Sequence, residues 1–162
     1  MTTPYVVQNL ALAVVLVCAS VVIQVALTFL VVRLFRRLTS LVEAHHGYLV
    51  IGVGFTALII TIMVGHLVQI IGWALAFYLL SFFGDFWTAL SLAAQTYTTL
   101  GYGDILLPAE RRMLEGWLAL TGQLMIGWST GLFAYLITKY HEAHPSPHRR
   151  ADGQPGSSPG RR

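Results

Sequence analysis

Three long apolar runs set the pattern of the chain. Leu10–Val32, Tyr48–Phe83 and Gly116–Thr138 contain no Asp, Glu, Lys or Arg. A membrane-spanning helix needs about 20 apolar residues, so each run is long enough to cross a bilayer. The first run is longer than the roughly 7–15 apolar residues of a secretory leader, and no basic stretch precedes it, so it reads as a retained span. It predicts a helix over about Val7 to Leu34, closed by Arg33, Arg36 and Arg37, whose long side chains can reach the interface. "LTSLVEAHHG" reads as a short connector to a second helix starting near Tyr48. As one helix, the second uncharged run would reach about 54 Å, more than one perpendicular crossing needs. Either it tilts, or it ends early and its aromatic remainder lies at the interface.

Between the second and third runs the pattern breaks. Gly84 interrupts the helix, and Asp85 is a good cap for a new one. Phe86 to Tyr97 then predicts a helix of about three turns, too short to span and built of small, mildly apolar residues. A re-entrant segment is tolerated at membrane depth where protein buries it or it lines water. The chain returns as "TTLGYGDILLP", with Pro108 at the exit, and "AERRMLE" leads into the third spanning helix. The fold class expected is therefore an all-α membrane protein with three transmembrane helices and a short re-entrant helix between the second and third.

Composition agrees with that pattern and removes other classes. Hydrophobic residues make up 56% of the 162 residues and charged residues 10%, where a soluble domain carries about 25% charged. Cys18 is the single cysteine, which excludes an intrachain disulfide and a cysteine metal cluster. The net charge of +3 is modest, and its basic residues gather at membrane edges, so nucleic acid is not an expected partner. Arg33, Arg36, Arg37, Lys139, Arg149, Arg150, Arg161 and Arg162 would share one side, and only Arg111 and Arg112 the other. This bias predicts an outside amino terminus, a cytoplasmic carboxyl terminus and an outward-facing glycine strip. Residues 141–162, rich in Pro, Gly, Ser and basic residues, predict a disordered tail.

The strip "QTYTTLGYGDI" carries the candidate chemistry. Two glycines one residue apart let the backbone adopt conformations closed to other residues. Successive carbonyls can then point the same way, and a ring of them from several chains can replace the hydration shell of an ion. A short helix ending just before the strip would aim its negative C-terminal dipole at the same place, favouring a cation. Thr99 adds a hydroxyl oxygen.

"TYTTLGYGD" resembles the signature of the potassium channel family, T-x-x-T-x-G-Y-G-D, matched by Thr96, Thr99, Gly101, Tyr102, Gly103 and Asp104. The resemblance covers about Tyr48 to Tyr140 and is to small prokaryotic channels of the two-helix pore type, here with one additional helix in front. It implies a homotetramer with permeant K+ held by the carbonyls of Thr99, Leu100, Gly101 and Tyr102 and by the Thr99 hydroxyl, with Gly103 completing the filter. Leu100 stands where such channels usually have Val or Ile; its side chain is expected to point away from the axis. Thr96, Thr98, Gln95, Asp104 and Trp87 are the implied filter supports. Several relatives carry an acid at the position of Gln95 that couples to the position of Asp104, so Asp104 lacks that partner here.

Other positions admit two readings each. His66 and Gln69, three apart in the second helix, either have a functional role, supporting the pore helix or sensing protons, or form an interhelical hydrogen bond that glues helices together. Gly122 is either a gating hinge or a packing position, and Gly127 and Gly131 form a small-residue pair of the packing type. His45, His46, His141, His144 and His148 lack metal-ligand spacing and read as solvated loop residues.

The expected organisation is thus an N-terminal helix and connector (1–47), a pore domain (48–140) and a tail (141–162). The expected function is potassium conduction through a tetrameric filter, in the cell membrane of a bacterium, with membrane lipids as the other partner. No nucleophile–base set or phosphate loop suggests an enzyme, and no organic cofactor is expected. The alternatives are a non-conducting regulatory subunit with a pore-like fold, and a weakly selective cation channel.

Overall fold

The computed structural model describes residues 3–45 and 48–143. Four helices follow one another: α1 (Thr3–His45), α2 (Tyr48–Leu79), α3 (Phe86–Tyr97) and α4 (Met113–Ala143). The described residues contain no strand. Helices α1, α2 and α4 are each long and apolar enough to cross a membrane, over Tyr5–Leu38, Gly52–Leu79 and Met113–Glu142. The chain is an all-α membrane protein with three such helices. Helix α3 has 12 residues, about 18 Å at the rise of an α-helix, too short to cross.

Helix α1 is longer than the apolar pattern predicts. It continues through the three arginines and through most of "LTSLVEAHHG" to His45. The physical reason is local: between Arg33 and His46 there is neither Gly nor Pro, so nothing ends the helix before Gly47. Its buried side is a single stripe. Asn9, Ala13, Ser20, Gln24, Leu27 and Val31 are buried at steps of three, four, seven or a multiple of a turn, while Val14, Val15, Val22 and Phe29 stay exposed. The stripe packs against both α2 and α4.

Helix α2 ends at Leu79, before Gly84, which is the early end offered by one of the two sequence readings. Its last turn closes at Ser81, which has φ of 58°. The Ser81 amide donates to the Tyr78 carbonyl (2.9 Å), and the Phe82 amide donates to the Phe77 carbonyl (3.0 Å). This pair of bonds is a Schellman closure, completed by the ring contact of Phe77 with Phe82 at 6.0 Å. The segment from Leu80 to Asp85 then crosses to α3 without further helix.

Helix α3 has the bounds that the sequence predicts. Asp85 caps it, accepting the Thr88 amide at 2.9 Å and the Thr88 hydroxyl at 2.7 Å. Ala89, Leu92, Ala93 and Tyr97 are its buried side. They join Trp73, Ala74 and Phe77 of α2, Leu114, Leu118 and Met125 of α4, and Ala13 of α1 in the larger core. A smaller cluster of Leu27, Val31, Leu58 and Leu136 packs the arginine end.

The start of α1 and the segment after the strip lie at one end of the molecule. Asn9 Nδ2 donates to the Glu110 carbonyl, Arg111 Nη1 donates to Asn9 Oδ1 (both 2.6 Å), and the Arg111 guanidinium stacks on Tyr5 and Phe82. Phe55 of α2 meets Phe133 and Tyr140 of α4 towards the other end. Helix α4 includes His141, and α1 includes His45; His46, His144, His148 and the tail from 144 onward lie outside the described residues.

Candidate functional site: the strip and what holds it

The strip begins as the closure of α3. Thr98 is the C-cap, and Thr99 follows with φ of 58°. The Thr99 amide donates to the Thr96 carbonyl (3.0 Å), and the Leu100 amide donates to the Gln95 carbonyl (2.8 Å). This is a second Schellman closure, again with a non-glycine residue in the left-handed position. A β-branched residue is strained there, so the closing bonds hold Thr99 in a conformation it would not adopt alone.

Beyond Thr99 the sign of φ alternates. Thr99 (58°), Gly101 (53°) and Gly103 (76°) are positive, whereas Leu100 and Tyr102 are not. Such alternation sets amides on one edge of a backbone and carbonyls on the other. The amide edge is identified by its bonds: Leu100 and Gly101 both donate to the one Gln95 carbonyl, at 2.8 and 3.2 Å. The amides of Thr99, Leu100 and Gly101 thus turn back to α3, and the opposite edge is free to present oxygens. Gly101 and Gly103 are where glycine is required, because other side chains resist this φ.

All residues from Thr98 to Asp104 are exposed in the single chain. Leu100 is 57% and Tyr102 71% exposed. A cavity of about 380 Å³ opens between α3 (Leu92, Thr96), the strip (Thr99, Gly101) and α4 (Gly116, Ala119). After the strip, Glu115 Oε1 accepts the Leu107 amide at 2.6 Å, fixing the return path to the start of α4.

The predicted supports fall into two groups. Gln95, Thr96 and Thr98 act at the strip's base. Besides the carbonyls already named, the Thr98 hydroxyl donates to the Ala94 carbonyl (2.8 Å), and Gln95 Nε2 donates to Ser91 Oγ (3.2 Å). Trp87 and Asp104 do not meet the strip's neighbours within the chain. Trp87 is 75% exposed and contacts Phe86, and Asp104 takes part in no hydrogen bond or ion pair among the described residues.

His66 and Gln69 are brought to Tyr97, the last residue of α3. The Tyr97 hydroxyl donates to Gln69 Oε1 at 3.2 Å, and His66 Nδ1 lies 2.9 Å from the same hydroxyl. The hydroxyl has one proton, so while it donates to Gln69 the second bond needs the His66 tautomer that carries its proton on Nδ1. His66 Nε2 is buried without a partner. The pair therefore makes the interhelical contact that one of the two sequence readings predicts.

Gly122 is buried against the pore helix. A Cβ on it would overlap the Tyr97 carbonyl oxygen. The geometry is that of a packing position. Gly127 and Gly131 are exposed, with open space around them within the chain.

Four site residues escape the sequence reading: Gln24, Tyr97, Ser129 and Asn9. Gln69 Nε2 donates to Gln24 Oε1, and Gln24 Nε2 donates to Ser129 Oγ, both at 2.9 Å. A signal was present for Gln24, a lone amide in an apolar span, where a polar group needs a partner. Tyr97 offered none, since an aromatic at a helix end is ordinary core.

No curated protein and no solved structure matches the chain. A scan against family models gives one finding, and its limits are those of the site: residues 65–139, from Gly65 in α2 through α3 and the strip to Lys139 in α4, match the model of the family described as "Ion channel", so that this segment is similar to an ion-conducting pore.

Proposed function

We propose that the chain is a potassium-selective channel subunit, and that four copies close the strips of residues 99–103 into one ion filter. The observation that carries this reading is the alternation of φ at Thr99, Gly101 and Gly103, with the amides of Leu100 and Gly101 turned back to Gln95. It leaves carbonyls of Thr99, Leu100, Gly101 and Tyr102 to replace the water around a dehydrated K+. Helix α3 ends at the strip, so its negative C-terminal end favours the same cation. The exposure of the strip in a single chain supports closure by further copies, since one strip cannot form a ring. The apolar exposed side of α1 would face membrane lipid. The charge bias supports an amino terminus outside and a carboxyl terminus in the cytoplasm.

Purified protein in liposomes is expected to pass K+ and Rb+ and nearly exclude Na+. Gly101→Ala is expected to abolish selectivity or conduction, because a side chain resists φ of 53°. Tyr102→Phe is expected to be milder, since every carbonyl remains. Equal passage of Na+ and K+ would overturn the filter assignment in favour of a weakly selective pore. No K+ flux at any voltage or pH would favour a non-conducting regulatory subunit.

A further inference from the structure

A line of side-chain hydrogen bonds crosses the molecule at mid-membrane. His66 Nδ1 lies 2.9 Å from the Tyr97 hydroxyl, and Tyr97 donates to Gln69 Oε1. Gln69 Nε2 donates to Gln24 Oε1, and Gln24 Nε2 donates to Ser129 Oγ, with the Met125 carbonyl also within 3.4 Å. Each amide accepts on one side and donates on the other, so the line has a single direction through α2, α3, α1 and α4. Gln24 and Gln69 are 1% exposed and Ser129 is 5% exposed. Water does not compete for these groups, and lipid offers no alternative partner.

We propose that Gln24 of the first helix is a positioning residue for the strip, acting through Gln69 and Tyr97. This rests on the reading of the strip as an ion filter. Tyr97 is the last residue of α3, and the next residues are the cap Thr98 and the strained Thr99. Its backbone carbonyl is pressed by Gly122 of α4, and its hydroxyl is held by Gln69. Two anchors therefore fix the residue from which the strip departs. Gln69 holds the hydroxyl only while its amide is oriented with Oε1 toward Tyr97. Gln24 sets that orientation, because its Oε1 takes the Gln69 Nε2–H. Gln24 is itself oriented by Ser129. Without Gln24 the Gln69 amide would lose the partner that distinguishes its two ends, and Tyr97 would lose a fixed acceptor. Gln24 lies outside the family-matched residues 65–139, so the front helix would contribute a residue on which the pore's precision depends.

Ser20 offers the control. It lies one turn away on the same stripe and accepts the Trp73 indole N–H at 3.1 Å, but no bond leads from it to Tyr97. Loss of general α1 packing should appear in Ser20→Ala as well; loss of positioning should not.

The test uses the full chain in liposomes, with the K+/Na+ permeability ratio from reversal potentials and amide hydrogen exchange at Leu100 and Gly101. Gln24→Leu, close in volume, removes both side-chain bonds. It should lower the ratio about tenfold and speed exchange at both amides by a similar factor, the scale of one buried hydrogen bond. Gln24→Glu, protonated in such surroundings, keeps an acceptor for Gln69 and a donor for Ser129, and should restore both readouts. Ser20→Ala should match the wild type. If Gln24→Leu does not fold, Tyr97→Phe removes the same link at its far end and should give the same two changes. Wild-type ratio and exchange in these variants, or an equal loss in Ser20→Ala, would overturn the proposal. A wild type with no K+ preference would instead overturn the filter reading, and exchange at Leu100 and Gly101 would still decide whether Gln24 holds the end of α3.

Discussion

Among the described residues, Ser81 and Thr99 hold the left-handed conformation without being glycine, and they invite opposite substitutions. Ser81 closes α2 and makes no side-chain hydrogen bond among the described residues, so its strain has no evident return. Ser81→Gly is expected to raise stability by roughly 0.5–1 kcal/mol, read as a higher Tm in detergent. Thr99→Gly relieves the same strain but removes the hydroxyl at the strip, so it should stabilise the fold and weaken K+ preference together. Asp85 is a third local device. The Thr88 hydroxyl, and then the Thr88 amide, hold its carboxyl below the ordinary carboxylate range. A group whose pKa is depressed by folding contributes stability above its unfolded value and loses it as pH falls through the folded value. Thermal stability should therefore drop on acidification through and below the ordinary Asp range. Asp85→Asn, which also caps helices well, should remove this part of the slope, and an unchanged slope would remove Asp85 from the account.

At the scale of elements, the decisive contact is that of α4 with the end of α3. Gly122→Ala places a methyl group against the Tyr97 carbonyl, a backbone atom that cannot move without carrying Thr98 and Thr99. The expected cost is about 1–3 kcal/mol, with a fall in K+ preference larger than that of Gly127→Ala, whose methyl enters open space within the chain. Local signals explain what the sequence made readable here. Asp85 followed by Thr88 marks the start of α3, and the glycine pair marks the strip. For α2 the pattern left a tilted helix and an early end both open, because the stop comes at Ser81, a residue that carries no breaker mark. The extension of α1 to His45 followed a rule of absence, the lack of a breaker, outweighed in the reading by polar composition. The Gln24–Gln69–Tyr97 link joins residues 45 and 28 positions apart, and no periodicity reports a contact of that kind.

For the whole molecule, the single chain leaves its chemically distinctive surface open. If four strips form the ion sites, K+ binds only the assembled state and must shift the equilibrium toward it. The tetramer is expected to show a higher Tm in saturating K+ than in Na+, and equal values would count against an ion-binding ring. The contact of Asn9 with Glu110 and Arg111 sets the amino-terminal end of α1 and the strip's return segment at one end of the molecule. Labelling of either end from one side of a sealed vesicle should thus succeed or fail for both.

The stripe of α1 also has a consequence for how the chain is made. Asn9 and Gln24 find partners at Glu110 and Ser129, more than 100 residues further along. Synthesis runs from the amino end, so α1 reaches the bilayer while those partners are still unmade. Gln24 Oε1 meets Gln69 once α2 has entered, but Gln24 Nε2 has no Ser129 to donate to until α4 has entered. The nascent chain therefore passes through a stage in which the Gln24 donor lacks its final partner, and completion of the last helix, rather than entry of the first, is the event that seals it.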